Sequence, residues 1–157
     1  MPDQHEYWMR IALAEAQKAA DENEVPVGAV IVRGSELIAS THNLCEQLNN
    51  PTAHAEMLAI QNACSAIGTQ RLTGCRMYVT LEPCPMCAGA LMAAQLESCY
   101  YAAADVRQGC CGSVYALPQD PAFYHHVYCI GGCLQEASAE LLQRFFAEKR
   151  KQKGENL

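Results

Sequence analysis

At 157 residues, half of them apolar and under a fifth charged, the chain has the size and composition of one folded domain spanning 1–157 and is not disordered. No apolar run approaches the ~18 residues that span a bilayer. The opening Met1-Pro2-Asp3-Gln4-His5-Glu6 has no basic stretch leading into an apolar core, so no export signal is read and a cytoplasmic location is expected. A net charge of −6 argues against a broad phosphate-binding surface, and ten cysteines in a reducing compartment imply free thiols or metal ligands instead of a disulfide framework.

Asp3 followed by Glu6 has the form of a capping box. It opens an Ala-rich helix from Glu6 to Asn23, with Trp8, Ile11, Ala12, Ala16 and Ala19 at helical spacing. Val27 to Arg33 and Glu36 to Ser40 read as strands joined at Gly34-Ser35, a hairpin. A second helix runs from Ala53 to about Ala66 and is closed by Gly68. Arg76 to Thr80 is a strand, and Pro83 or Pro85 opens a third helix reaching roughly Gln95. Leu96 to Ala102 and His126 to Ile130 are two further strands. The last helix, Gln135 to about Lys151, presents Leu134, Leu141, Leu142, Phe145 and Phe146 as its apolar face. Alternating strands and helices with an opening hairpin predict an α/β layer structure around a mixed sheet.

Two phrases carry chemistry: Pro51-Thr52-Ala53-His54-Ala55-Glu56 and Leu81-Glu82-Pro83-Cys84-Pro85-Met86-Cys87. Each lies where a loop enters a predicted helix. Cys84 and Cys87, three apart in a first turn, share one helical face, and the positive end of that helix favours thiolate, the form that binds zinc. One imidazole and two thiolates leave a fourth tetrahedral position free, which marks a catalytic site more than a structural one. A structural site would need another ligand, for which Cys110, Cys111 or Cys129 is available, but would leave Glu56 without a purpose. Each phrase alone is weak. Together they match the H-x-E…P-C-x-x-C signature of zinc deaminases, an assignment by pattern recognition. It implies Zn2+ held by His54, Cys84 and Cys87. Glu56 would take a proton from zinc-activated water, deliver it to the ring nitrogen beside the attacked carbon, and so release ammonia.

The chain also resembles the bacterial tRNA-specific adenosine deaminases over nearly its whole length. The matching phrases are His5 to Arg10, Glu24 to Val30, Pro51 to Glu56, Tyr78 to Cys84, Met86 to Ala90, Gly131-Gly132, Leu141-Leu142 and Phe145-Phe146. The resemblance implies a three-layer α/β/α sandwich with a central mixed five-stranded sheet, cytidine-deaminase-like. It implies hydrolytic deamination of the wobble adenosine in a tRNA anticodon stem-loop to inosine by a homodimer, with RNA touching both subunits and no membrane involved.

By the same resemblance Asn43 bonds the base, Val27 and Leu81 wall the pocket, and Asp105 lies beside the nucleotide backbone. An amide both donates to and accepts from a base edge, and apolar walls stack a flipped base. Several positions depart from the family: Leu44-Cys45 replaces Arg-Pro, Ala104 and Gln95 replace arginines, and Gln47 to Asn50 replace a basic loop. What remains basic is Arg107 and the run Arg144, Lys149, Arg150, Lys151 and Lys153, which reads equally as a solvated helix end or as an RNA contact. The acidic surface keeps a free-base or nucleoside deaminase of guanine or cytosine as the alternative. The eight cysteines outside the metal pair, Cys110-Cys111 among them, read as small hydrophobes.

Overall fold

The computed structural model describes residues 3–155; the two residues at either end of the expected 1–157 domain lie outside the described residues. Helix α1 spans Gln4–Asp21, and Asp3 caps it by accepting from the His5 amide at 2.9 Å. The expected capping box is half made, because Glu6 turns along the helix to Arg10, 3.5 Å away. The hairpin strands are β1, Gly28–Arg33, and β2, Glu36–His42. Helix α2 is Ala55–Ile67, stopped by Gly68 at φ 83, a left-handed position that glycine adopts without a Cβ clash. Strand β3, Cys75–Leu81, runs into α3, Pro85–Ala93. Strand β4, Ser98–Ala103, and strand β5, Tyr128–Gly131, precede α4, Gln135–Glu155.

The strands form one mixed sheet in the order β2-β1-β3-β4-β5. β1 is antiparallel to both β2 and β3, and β3, β4 and β5 are mutually parallel. Strand alternation sends successive side chains to opposite faces. Ala29, Ile31, Met77, Val79 and Cys99 pack with Ala55, Ala59 and Ala63 of α2 and Ala88 and Leu91 of α3. Val30, Val32, Tyr78 and Ala102 pack with Trp8, Met9 and Ala12 of α1, with Leu134 at the margin. The three layers expected from the sequence are therefore present, with five strands and four α-helices among the described residues.

Close approach explains one glycine. A Cβ at Gly28 would stand 2.0 Å from the Ala12 carbonyl oxygen, so β1 lies directly on the α1 backbone.

Several boundaries differ from expectation. α3 begins at Pro85 and stops at Ala93 instead of near Gln95, leaving Gln95 at φ 57 in the turn to β4. α4 continues past Lys151 to Glu155. Leu134 is not part of the α4 stripe but precedes it at φ 55. A 3-10 turn at Leu117–Gln119 was not anticipated, since one turn carries too few residues to show a period.

The end of β2 is fastened to α1 by charge. His42 sits between two carboxylates, Nδ1 at 2.6 Å from Glu15 and Nε2 at 2.7 Å from Glu22. Burial pulls the imidazole pKa down, but the bonds to Glu15 and Glu22 outweigh it and the net direction is up. On Glu15 burial pushes upward, and the bonds from His42, Lys18 and Ser40 bring the net direction below the usual carboxylate value. The sign follows from linkage. The raised histidine stabilises the fold fully below its unfolded value near ~6.5 and stops doing so as pH rises through its folded pKa. The lowered Glu15 contributes above ~4.5 and ceases to as pH falls through its folded pKa. Replacing His42 by Phe should therefore destabilise the protein by about 1 kcal/mol near pH 6, screening by solvent included. Thermal melting of the two proteins should show that gap narrowing as pH rises through the folded pKa of His42; a pH-independent gap would refute the ionic assignment.

Candidate active site

The two motif phrases meet at the sheet margin where β3 ends. His54 is the N-cap of α2 and Cys84 the N-cap of α3, while Cys87 lies in the first turn of α3. Short bonds fix both starts. The Thr41 hydroxyl on β2 donates to the Ala55 carbonyl at 2.7 Å, and the Leu44 amide donates to the Ala53 carbonyl at 3.0 Å. On the other side the Cys110 amide donates to the Pro83 carbonyl at 2.9 Å.

His54 Nδ1 lies 3.7 Å from Cys84 Sγ and 3.5 Å from Cys87 Sγ. The three ligand atoms all fall within 4.8 Å of one another, the one such group among the described residues. Zinc arms of about 2.3 Å to sulfur and 2.0–2.1 Å to nitrogen, opened to a tetrahedral angle, separate sulfur from nitrogen by about 3.5–3.6 Å. The residues therefore fit a tetrahedral metal with three protein ligands. Cys110, Cys111 and Cys129 do not join this group, so the four-ligand structural arrangement is absent among the described residues.

The thiols are electrostatically unequal. The Cys84 thiol is lowered to about 4, by the Cys87 thiol first and then by His54 and the Cys87 amide, against the opposing effect of burial. Cys87 is raised, because it keeps the proton that the two sulfurs share and because it is buried. His54 is raised by its contact with Cys84. Glu56, at the first turn of α2 and 4 % exposed, is raised by burial; its own backbone N–H and the Cys87 side chain oppose that shift. A dication among these groups would favour the thiolates and a neutral imidazole.

The ligands open onto a cleft of about 520 Å³. Each expected substrate residue lines it: Val27, Asn43, Leu81 and Asp105, together with His54, Glu56 and Cys84. Cys87 lies buried behind them. The Asn43 amide donates to the Val27 carbonyl at 3.1 Å, which ties the end of β2 to the residue before β1. Asn43 is buried, and its side-chain oxygen accepts from Cys45 at 3.3 Å. Leu81 ends β3 opposite Ala103. Asp105 begins the loop beyond β4, and its carboxylate accepts from the Arg107 and Gln108 amides at 3.0 and 3.2 Å.

Arg107, singled out in the sequence as a remaining basic residue, lines the cleft too. Other lining residues were not expected from the sequence: Val25, Val106 and Gln108 contribute, and α4 supplies Leu142 and Phe146. The α4 apolar stripe is thus divided: Leu141 is buried, while Phe146 is 43 % exposed at the cleft. Glu24 and Glu82 were also missed. Glu24 is buried and accepts from the Glu46 and Gln47 amides at 2.9 and 2.7 Å, holding the loop after Asn43. Glu82, inside the second metal phrase between Leu81 and Pro83, holds the loop that carries Asp105. Neither lies on a periodic face; a charged residue embedded in an apolar phrase was the only signal.

A sequence model of the cytidine and deoxycytidylate deaminase zinc-binding region matches residues 2–103. The tRNA-specific adenosine deaminase of Bacillus subtilis (strain 168) is 47 % identical over 150 residues, covering 96 % of this chain and 93 % of that protein. This chain belongs to the tRNA-specific adenosine deaminases. A solved structure from work on A-to-I editing by tRNA:A34 deaminases superposes with a TM-score of 0.83 at 41 % identity, covering 87 % of this chain and 99 % of that one. The fold extends to a guanine deaminase from Bacillus subtilis, with a TM-score of 0.62 at 38 % identity over 65 % of this chain and 66 % of that one. Membership of the deaminase family and the His54–Cys84–Cys87 geometry agree on a metal-dependent enzyme.

The ligand set makes a direct prediction. Cys84→Ser and Cys87→Ser should each lose the metal, and chelation of the unaltered protein should lower its stability by about 2–4 kcal/mol, restored by added zinc. Elemental analysis with melting curves checks this, and full metal content in both variants would overturn the assignment.

Proposed function

We propose that this adenosine deaminase hydrolyses the wobble adenosine of a tRNA anticodon to inosine at a zinc ion held by His54, Cys84 and Cys87. The observation that carries the reading is Glu56, a buried carboxyl lining the same cleft as His54 and Cys84, whose ligand atoms converge with that of Cys87. Zinc supplies Lewis acidity toward an attacking water. Glu56 accepts a proton from that water and donates it to the ring nitrogen beside the amine-bearing carbon. Glu56 then takes the second proton, from the hydroxyl now on that carbon, and hands it to the amine; the C–N bond breaks, ammonia leaves and the carbonyl forms. Burial raises its pKa, which suits a group that must both take and return a proton near neutrality. The backbone N–H groups at the start of α3 face the charge that develops on the ring.

Asn43 orients the base edge through its amide, and Val27 and Leu81 hold the flipped ring between apolar walls. Asp105 faces the nucleotide backbone. Arg107, exposed on the same loop, and the basic end of α4 supply phosphate contacts. Recognition of a splayed single strand rests on stacking and edge contacts more than on long-range charge, which reconciles RNA binding with a net charge of −6. Such contacts survive an acidic background because screening confines exposed charges to about 8–10 Å.

A homodimer completes the reading. Val114, Tyr115, Phe123, Tyr124 and Tyr128, all in the chain between β4 and α4, are exposed, and exposed apolar side chains of this kind suit contact with a second copy. A cytoplasmic setting suits both the substrate and ten free cysteines. No helix among the described residues is long and apolar enough to cross a membrane.

Glu56→Ala should retain zinc and fold while losing at least ~10²–10⁴-fold in turnover. Ammonia release and inosine formation on an anticodon stem-loop, guanine, cytosine and free adenosine should show activity on the stem-loop, falling steeply with salt, and none on free adenosine. Efficient deamination of guanine with an untouched stem-loop would replace this reading with the free-base one. Near-normal turnover by zinc-loaded Glu56→Ala would remove Glu56 from the mechanism.

A further inference from the structure

Glu82 is 2 % exposed, and all of the acceptor capacity of its carboxylate is taken by one loop. Oε1 accepts from the Asp105 amide at 3.0 Å and from the Ser113 hydroxyl at 2.5 Å. Oε2 accepts from the Cys111 amide at 3.1 Å and the Ser113 amide at 2.9 Å. An ionised carboxylate offers about four lone-pair sites, so this one is fully occupied. Its own backbone is equally fixed, since the Glu82 amide donates to the Ala103 carbonyl at 2.9 Å.

The loop comes close enough to demand glycine on its side. A Cβ at Gly109 would lie 2.3 Å from Glu82 Cδ and 2.4 Å from the Asp105 carbonyl oxygen. The segment held this way carries Asp105, Val106, Arg107 and Gln108, which form one wall of the cleft. Val106 is 82 % exposed and Arg107 is exposed, so little from the core supports that wall. The carboxylate sits two residues before the ligand Cys84, at the end of β3. One side chain thus joins the strand that presents the metal ligands to the loop that faces the substrate.

We infer that Glu82 is a positioning residue for substrate binding: its carboxylate gathers the 105–113 loop into the cleft wall that meets the nucleotide backbone. The inference rests on the tRNA reading for the identity of the substrate and on hydrogen bonding alone for the loop. It leaves proton transfer to Glu56 and metal binding to the three ligands. Asp105 is held three ways: through its amide to Glu82, through its carboxylate to the Arg107 and Gln108 amides, and through its carbonyl, which accepts from the Gly109 amide at 2.8 Å. Loss of the first leaves a local turn tied back only beyond Gly109, where the Cys110 amide donates to the Pro83 carbonyl at 2.9 Å.

Glu82→Gln discriminates well because shape is nearly kept. A glutamine has one oxygen, and backbone N–H donors cannot reverse. If its NH₂ takes the Oε2 place, it opposes two amides. If it takes the Oε1 place, the Ser113 hydroxyl can rotate to accept, and only the Asp105 amide is stranded. The second arrangement is the less unfavourable, so the substitution releases Asp105.

The test compares the zinc-loaded full-length protein with Glu82→Gln and Ser113→Ala by three readouts. Hydrogen exchange should accelerate at least about tenfold for amides 105–113 in Glu82→Gln and less in Ser113→Ala, as expected for loss of charge-assisted bonds. KM for an anticodon stem-loop should rise about tenfold in Glu82→Gln and about threefold in Ser113→Ala, with kcat within about threefold of the unaltered enzyme. Zinc content should stay at the unaltered level. A fall in kcat or zinc with KM unchanged would overturn the inference, as would unaltered exchange across the loop. If Glu82→Gln fails to fold, Ser113→Ala decides by the same criteria. Absence of stem-loop activity in the unaltered enzyme would refute the substrate reading alone, and the exchange measurement would still decide the role of Glu82.

Discussion

The chemistry of this protein depends on two helix N-termini being held at one point. α2 delivers His54 as its cap and α3 delivers Cys84 as its cap, and both cysteine sulfurs approach His54 Nδ1 within 3.7 Å. Neither helix arranges this alone. The antiparallel β2–β1–β3 block sets the spacing: Thr41 of β2 bonds the first turn of α2, and β3 leads directly into the turn before α3. The unsatisfied amides of two helix starts make the region electropositive, which stabilises the Cys84 thiolate and the negative charge that chemistry would generate.

Buried carboxylates surround that point and divide the work by the donors they meet. Glu24 accepts from two backbone N–H groups of the loop after β2, and Glu82 from three backbone N–H groups and the Ser113 hydroxyl of the loop after β4. Burial of a charge is tolerated where several hydrogen bonds replace water, and both carboxylates meet that condition. Glu56 is met differently, by its own backbone N–H and the Cys87 side chain. It lines the open cleft. The roles proposed for three glutamates of similar burial thus follow from their neighbours.

What could be read in the sequence followed from pattern length. The long, strongly periodic α1 and α4, the hairpin at Gly34-Ser35 and the stop at Gly68 were legible because caps, turns and apolar spacing agree there. The metal phrases were legible because ligand spacing is a local property: His54 and Glu56 lie on one helix start, Cys84 and Cys87 on another. The cleft wall was less so. Leu142 and Phe146 belong to the same apolar stripe as buried Leu141, and periodicity gives the face of a helix without saying which part of it meets core and which meets a cavity. Glu24 and Glu82 were hidden for a different reason, since their partners are backbone amides far along the chain, and backbone donors leave no trace in residue identity. The Leu117–Gln119 turn was too short for any periodic signal.

The cleft is also divided along the chain. All three metal ligands, Glu56, Asn43 and both apolar walls lie within residues 2–103, the stretch recognised by the cytidine and deoxycytidylate deaminase model. The wall formed by Asp105 to Gln108, and the α4 residues Leu142 and Phe146, lie beyond it. The side chains of that wall can therefore be exchanged without touching the group formed by His54, Cys84 and Cys87, and Glu82 is the side chain through which such an exchange would reach the end of β3.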